Sequence, residues 1–270
     1  MCADTSQDHI SKKVVLYRSP GLDSVKVRRD LEFRGAMGTL QMDLYSPGEA
    51  AFGARIPAVV FVTGFRDPGM QKVLGCRFKE MGSATSWARL VAASGLVAVT
   101  YTNTEPEADA HSLVHHVREN AGSLGIDEHR MGVWACSGHV PVALSVLMRS
   151  GQDFLKCAAL YYGYMLDLEG STEVADAARQ IGFVNPCGGK SIADLPQDLP
   201  LFIARAGRDV MPGLNVALDR FLGGALSRNL PVSFANHRVG PHAFDLFQDG
   251  EATRAIVGQT LAFLRSHLLG

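Results

Sequence analysis

Ser137, Asp209 and His242, in this order along the chain, are of the three residue types that can together perform nucleophilic catalysis. A serine hydroxyl is a weak nucleophile until a neighbouring histidine takes its proton, and a carboxylate on the other ring nitrogen holds that histidine in the required tautomer. Such a group transfers the acyl part of an ester or amide to the serine and then to water. The sequence therefore predicts acyl transfer, provided that the fold brings these three side chains together.

Ser137 lies where an apolar stretch gives way to a helical one. Residues 130–144 read RMGVWACSGHVPVAL, which predicts a buried strand that turns directly into a helix at the serine. A turn of this kind is tight, so the residues two before and two after the nucleophile must be small. Ala135 meets this requirement and His139 does not. The competing interpretation is that Ser137 only caps the helix.

The other two residues each follow a predicted strand. Asp209 ends the stretch LFIARAGRD at 201–209, and His242 lies in GPHAF at 240–244. Two alternatives stay open at this point. Asp209 is also placed to cap the next helix, and the nearby His237 competes with His242 as the base.

A regular alternation of strands and helices must position these side chains. The predicted strands cover residues 57–62, 96–101, 130–136, 156–162, 199–206 and 231–236. The predicted helices cover residues 87–94, 108–124, 137 to about 148, 215–227 and 250–269. This alternation predicts an α/β fold with a mostly parallel central sheet and helices on both faces. In such sheets the reactive side chains gather at the carboxyl ends of the strands.

Two further segments lie outside this alternation, one near the N terminus and one between the strands at 156–162 and 199–206. Residues 14–17, 25–33 and 39–45 predict antiparallel strands near the N terminus, followed by a loop at 46–56. Residues 165–197 are a mixed stretch that predicts a short lid segment. The sequence has no repeat and no sign of a second domain, so we expect residues 1–270 to form a single domain.

These motifs together resemble the α/β-hydrolase superfamily. Its G-x-S-x-G elbow corresponds to residues 135–139, its G-x-D acid loop to Asp209, and its histidine loop, with Gly-Pro before and Ala-Phe after, to His242 rather than His237. The resemblance runs from about residue 39 to the C terminus and is greatest to the dienelactone hydrolase and prolyl-oligopeptidase-like esterase branch. It implies an α/β-hydrolase fold with Ser137 as the nucleophile.

The resemblance also implies an oxyanion hole of two backbone amides. One is the amide of Gly138, at the positive end of the helix after the serine. The other lies on the loop after the first buried strand, where many relatives carry His-Gly-Gly and residues 63–65 of this chain are Thr-Gly-Phe. Phe65 is therefore the predicted second donor. His139 and Tyr164 are predicted to contact the substrate.

Composition excludes several other classes of protein. The chain has 270 residues, of which 47% are hydrophobic, and 26 Lys and Arg against 27 Asp and Glu give a net charge of −1. That balance argues against nucleic acid as a partner, because phosphate binding needs a concentrated positive field. The apolar runs are far shorter than the ~20 residues of a membrane-spanning helix. We also expect no signal peptide, because residues 1–13 lack an apolar run.

Cysteines and histidines give no metal or cofactor motif. The five cysteines are scattered without a CxxC pair, which is typical of free thiols in a reducing compartment and predicts a cytoplasmic protein. His111 and His115 share a helix face, but no third ligand accompanies them. We therefore expect neither a metal nor a cofactor.

The resulting prediction is a serine hydrolase that cleaves small carboxyl esters through an acyl-enzyme. Two alternatives remain. Cys136 is the nucleophile of a thiol hydrolase in the first, as in dienelactone hydrolases. In the second the chain binds a small molecule without catalysis, because His139 and the missing oxyanion histidine depart from the pattern. The sequence leaves the oligomeric state open.

Overall fold

Apolar runs that alternate with amphipathic segments form one eight-stranded sheet flanked by helices. The computed structural model describes residues 9–48, 54–149 and 151–270. Part of the predicted loop at 46–56, the predicted absence of a leader in the first residues, and Cys2 lie outside these residues. Within the described chain, no helix is both long enough and apolar enough to cross a bilayer.

The sheet is parallel except at its first edge. Its strands are β1 Lys26–Arg34, β2 Thr39–Ser46, β3 Ile56–Phe61, β4 Val97–Tyr101, β5 Ile126–Cys136, β6 Leu155–Tyr161, β7 Leu201–Ala206 and β8 Val232–His237. They lie in the order β1-β2-β4-β3-β5-β6-β7-β8. The β1–β2 and β2–β4 pairs are antiparallel and the remaining pairs are parallel. The predicted fold class is confirmed.

Helices cover both faces of this sheet. They are α1 Asp67–Leu74, α2 Gly82–Ala93, α3 Pro106–Glu119, α4 Ala121–Leu124, α5 Val140–Met148, α6 Glu173–Ile181, α7 Leu214–Ser227, α8 Phe244–Phe247 and α9 Glu251–Leu268. The central strands alternate between two buried clusters, because successive side chains point to opposite faces. Val60 and Val133 belong to the cluster under α3 and α5, whereas Val59 and Trp134 belong to the cluster under α2 and α9.

Two local predictions are wrong at the start of the chain and in the middle. Residues 14–17 form no strand, because their amides bond to other elements: Val15 N–H donates to Ser86 Oγ and Leu16 N–H donates to the carbonyl of Asp245. The helix predicted at 108–124 is two helices, α3 and α4, which meet at Asn120.

Residues 165–197 pack against the site rather than standing apart from the sheet. They contain α6, whose Val174 and Ala177 join a small cluster with Phe183 and with Leu214 of α7. Gly64 lies on the loop after β3, and its carbonyl accepts a hydrogen bond of 2.8 Å from Val184 N–H. This segment therefore contacts the loop predicted to supply an oxyanion donor.

A buried ion pair anchors the chain just before α2. Lys79 is only 2% exposed, and its Nζ lies 2.8 Å from Asp30 Oδ1 and 2.7 Å from Asp43 Oδ1. The Asp43 carboxylate on β2 is fully buried and also receives Arg29, at 3.2 Å. This pair joins the segment before α2 to the antiparallel edge of the sheet.

We expect Lys79→Met to lower the free energy of unfolding by about 3 kcal/mol, because removing one member of a buried pair leaves the other charge partly uncompensated. Urea unfolding would measure this loss. The matched control is Lys72→Met, since Lys72 is exposed on α1 and surface changes usually stay within about 0.5 kcal/mol. Equal unfolding midpoints for the two variants would contradict the assignment of Lys79 as an anchor.

Candidate active site

Ser137 occupies the sharp turn between β5 and α5. A single 3-10 turn, Ser137–His139, joins the two elements, and Ser137 has a φ of 53°. A side chain in this left-handed region is strained, and such strain is often found at functional sites. The buried Ala135 before the turn fits the predicted small residue. The strand-to-helix turn was thus correctly predicted.

His242 reaches Ser137 from the loop after β8. Ser137 Oγ and His242 Nε2 lie 2.9 Å apart, within hydrogen-bonding distance. The ring of Tyr162, at the end of β6, packs edge-on against the imidazole, with 4.9 Å between ring centroids. Ala243, the next residue, adopts a left-handed conformation that turns the chain into α8. The histidine is therefore held between two fixed elements.

Asp209 completes the chain of hydrogen bonds. Its Oδ2 lies 2.7 Å from His242 Nδ1, and its carboxylate is fully buried. A carboxylate can only accept, so Nδ1 carries the proton and Nε2 is left to accept from the Ser137 hydroxyl. Asp209 Oδ1 also accepts from the amide of Met211, so the same side chain stabilises its own loop.

His237, the competing histidine, lies elsewhere. It is buried at the end of β8, its Nε2 is 3.1 Å from Thr253 Oγ1, and its ring packs on Phe244. The geometry therefore brings His242 to Ser137 and leaves His237 in the packing between β8 and α9.

Cys136 lies beside the serine in a different environment. Desolvation by the surrounding protein raises the pKa of its thiol well above the usual value, and the nearby charge of Asp245 raises it further. The nucleophilic form of cysteine is the thiolate. The surroundings of Cys136 therefore favour the unreactive thiol.

The loop after β3 approaches the turn at Ser137 closely. A Cβ on Gly64 would lie 2.4 Å from the carbonyl oxygen of Gly138, so only glycine permits this approach. The amide of Gly64 donates to Nδ1 of His139, at 2.7 Å. In the described chain, the amides of Gly138 and Phe65 donate to no protein acceptor. Both predicted oxyanion donors are therefore available to a ligand.

His139 packs between aromatic rings. Its ring lies edge-on to Phe65 and Phe78, with centroid distances of 5.1 and 5.0 Å. Burial lowers the pKa of His139 to about 4. The imidazole is therefore neutral at neutral pH, as its role as an acceptor requires.

A mostly apolar cavity of about 260 Å³ opens beside Ser137, on the α2 side of the sheet. Its aromatic lining includes Trp87 of α2, Trp134 of β5 and Tyr162 after β6. His139 is among the residues that line this cavity. The local sequence carried no signal for the walls, because they converge from distant segments.

Tyr164 does not line this cavity, contrary to the predicted substrate contact. It is fully buried, stacks on Phe183 at a centroid distance of 5.0 Å, and its hydroxyl donates to the carbonyl of Pro212. The backbone turns at Tyr162, whose φ is 31°, and carries Tyr164 under α6 instead.

A buried carboxyl group that the sequence analysis missed also lines the cavity. Asp245 accepts from Trp87 Nε1 and from the Tyr162 hydroxyl, both at 2.7 Å. Burial raises the pKa of Asp245, and the two hydrogen bonds partly offset this effect. Asp245 thus fixes two of the aromatic walls.

No group of three metal-binding side chains occurs among the described residues.

Several solved structures with a similar arrangement of strands and helices are esterases. The esterase Est22 superposes with a TM-score of 0.71 at 14% identity, covering 97% of this chain and 86% of that one. An esterase from the archaeon Pyrobaculum calidifontis gives 0.67 at 21% identity, covering 89% and 85%. EstE1, a carboxylesterase from a metagenomic library, gives 0.68 at 18% identity, covering 90% and 89%. The chain has the α/β-hydrolase fold.

In this α/β-hydrolase fold the carboxyl ends of β5, β7 and β8 meet at one edge of the sheet. They carry Ser137, Asp209 and His242, respectively.

The sequence matches no protein-family model and no curated protein. The fold is thus established by structural similarity.

Proposed function

We propose that the protein is a serine hydrolase that cleaves small carboxyl esters through an acyl-enzyme. The observation that carries this proposal is the continuous hydrogen-bonded series from Ser137 Oγ through His242 to the buried carboxylate of Asp209, at 2.9 and 2.7 Å. This arrangement activates a serine for attack on an acyl carbon. The esterase activity named for the similar structures supports the choice of an ester substrate.

The reaction begins when Ser137 Oγ attacks the carbonyl carbon of the ester and its proton passes to His242 Nε2. The negative charge that develops on the carbonyl oxygen accepts hydrogen bonds from the amides of Gly138 and Phe65. As the tetrahedral intermediate collapses, the bond to the alcohol breaks and His242 returns the proton to the leaving oxygen. Asp209 stabilises the transient imidazolium.

A water molecule then hydrolyses the acyl-enzyme. His242 takes a proton from a water molecule, whose oxygen attacks the carbonyl carbon of the acyl-enzyme. Collapse of the second tetrahedral intermediate releases the carboxylic acid and returns the proton to Ser137 Oγ. The side chains of Ser137, His242 and Asp209, the two backbone amides and water supply every group in this mechanism, so it uses no cofactor.

The size of the cavity leads to a prediction about the substrate. We expect p-nitrophenyl acetate and butyrate to be cleaved with a kcat/KM at least about tenfold above that of the laurate and palmitate esters, because a cavity of about 260 Å³ is at the small end of ligand pockets. A chromogenic panel of graded acyl length would measure this difference. Faster cleavage of the long esters would contradict the small-substrate proposal. If no ester is cleaved, the non-catalytic binder replaces the enzyme.

Two finer assignments accompany this proposal. The short insertion at 165–197, in place of a large cap, supports the dienelactone hydrolase and prolyl-oligopeptidase-like branch, with that segment as the lid. The cysteines at positions 76, 136, 157 and 187 are free thiols, which supports the cytoplasm as the compartment.

The thiol-hydrolase alternative has less support, since the surroundings of Cys136 disfavour the thiolate.

A further inference from the structure

His139 makes a polar contact that links the turn at Ser137 to the loop after β3. The amide of Gly64 donates to His139 Nδ1 at 2.7 Å, although the two residues are far apart in sequence. The ring is held edge-on by Phe65 and Phe78. The acceptor nitrogen is therefore fixed at a defined place against the loop.

The neighbouring hydrogen bonds decide which amide of this loop remains for a ligand. Thr63 N–H faces the hydroxyl of Tyr101 at 3.3 Å, and Gly64 N–H is taken by His139. Val184 N–H donates to the Gly64 carbonyl at 2.8 Å. A trans peptide is planar, so the Phe65 N–H points opposite to that carbonyl. Of the three amides at 63–65, the one left open is that of Phe65.

We propose that His139 is a positioning residue, whose Nδ1 holds the Gly64 amide so that the Phe65 amide stays oriented for the oxyanion. The inference rests on the proposed esterase mechanism, and it gives His139 a role other than direct contact with the substrate. It also explains why a large side chain occurs two residues after Ser137, where a small one is expected. The ring packs between Phe65 and Phe78.

Three substitutions at His139 separate an acceptor at the Nδ1 position from mere bulk. The Oδ1 of an asparagine lies close to the position of Nδ1, whereas a glutamine carries its oxygen further out, near Nε2. His139→Asn therefore retains the acceptor, His139→Gln displaces it and His139→Ala removes it. The Asn and Gln variants are a matched pair, because both keep a neutral amide.

We expect the Ala and Gln variants to lose about 10- to 100-fold in kcat with KM within about threefold, which is less than the 10²–10³ that loss of an entire oxyanion donor costs. The Asn variant should keep kcat within about threefold of the unmodified protein. A wild-type kcat for the Ala variant, or equal loss for Asn and Gln, would overturn the inference. If the Ala variant fails to fold, the Asn and Gln pair decides.

A second measurement does not depend on activity. In ¹⁵N-labelled protein, a scalar coupling across the hydrogen bond should join the Gly64 amide nitrogen to His139 Nδ1, with Nε2 as the protonated ring nitrogen. If the coupling is present and no ester is cleaved, the proposed function fails while the contact stands. If esters are cleaved and the coupling is missing, the inference about His139 fails alone.

Discussion

Ser137→Ala is expected to abolish ester hydrolysis, with a loss in kcat of roughly 10⁶-fold as for the serine of a well-studied protease. The hydroxyl of Ser137 lies 2.9 Å from Nε2 of His242, the proposed base, and alanine leaves nothing to be acylated. Cys136→Ala should keep kcat within about tenfold, because the surroundings of that thiol disfavour the thiolate. Initial rates on p-nitrophenyl acetate would measure both.

The two substitutions control for each other. Each removes one heteroatom at adjacent positions, and thermal unfolding of both variants would show that the fold is retained. The reverse outcome, with activity lost in Cys136→Ala and kept in Ser137→Ala, would replace the serine mechanism by the thiol hydrolase.

His242→Ala is expected to lower kcat by about 10⁴- to 10⁶-fold, because without a base the Ser137 hydroxyl stays protonated. The matched variant is His237→Asn. His237 is buried against Phe244 and Thr253, away from Ser137, so its replacement should reduce stability while leaving kcat per folded molecule within about threefold. Steady-state kinetics with thermal unfolding on both variants would separate these effects.

The assignment of the base depends on that contrast. Should His237→Asn lose activity as severely as His242→Ala without unfolding, then the assignment of His242 alone as the base is wrong. Imidazole added to the assay supplies a further readout. It should partly restore His242→Ala, since the cavity left by the missing ring adjoins Ser137.

The sequence predicted the strands and helices that carry the proposed triad, because each depends on a local pattern. Runs such as 57–62 and 157–162 are apolar throughout, as is typical of strands buried on both faces. Glycines, prolines and acidic residues mark the loops at their carboxyl ends. The order Ser137, Asp209, His242 then follows from the chain alone, and the parallel sheet places the three loops at one edge.

The remaining features depend on contacts between distant segments. Residues 14–17 are a short apolar run that resembles a strand, yet the amides of Val15 and Leu16 bond to Ser86 and to the carbonyl of Asp245. Helix α1 was not predicted, because its apolar residues Met70, Val73 and Leu74 span little more than one turn, and Val73 is exposed. Tyr164 turns under α6 because of a backbone conformation that no local pattern indicates.

The role of His139 was equally hidden from the sequence. A histidine two residues after the nucleophile looks like a fault in a motif that requires a small residue. The structure shows instead that its Nδ1 accepts the amide of Gly64. The partner lies on another strand's loop, so only the tertiary structure identifies it.

The most direct test of the central claim is covalent labelling of the nucleophile. The unmodified protein would be incubated with an alkyl fluorophosphonate, which reacts with serines activated by a histidine, and then digested and mapped by mass spectrometry. We predict one adduct per chain, on Ser137 and not on Cys136, and none in His242→Ala. An adduct on Cys136, or an unlabelled Ser137 in the folded protein, would contradict the account.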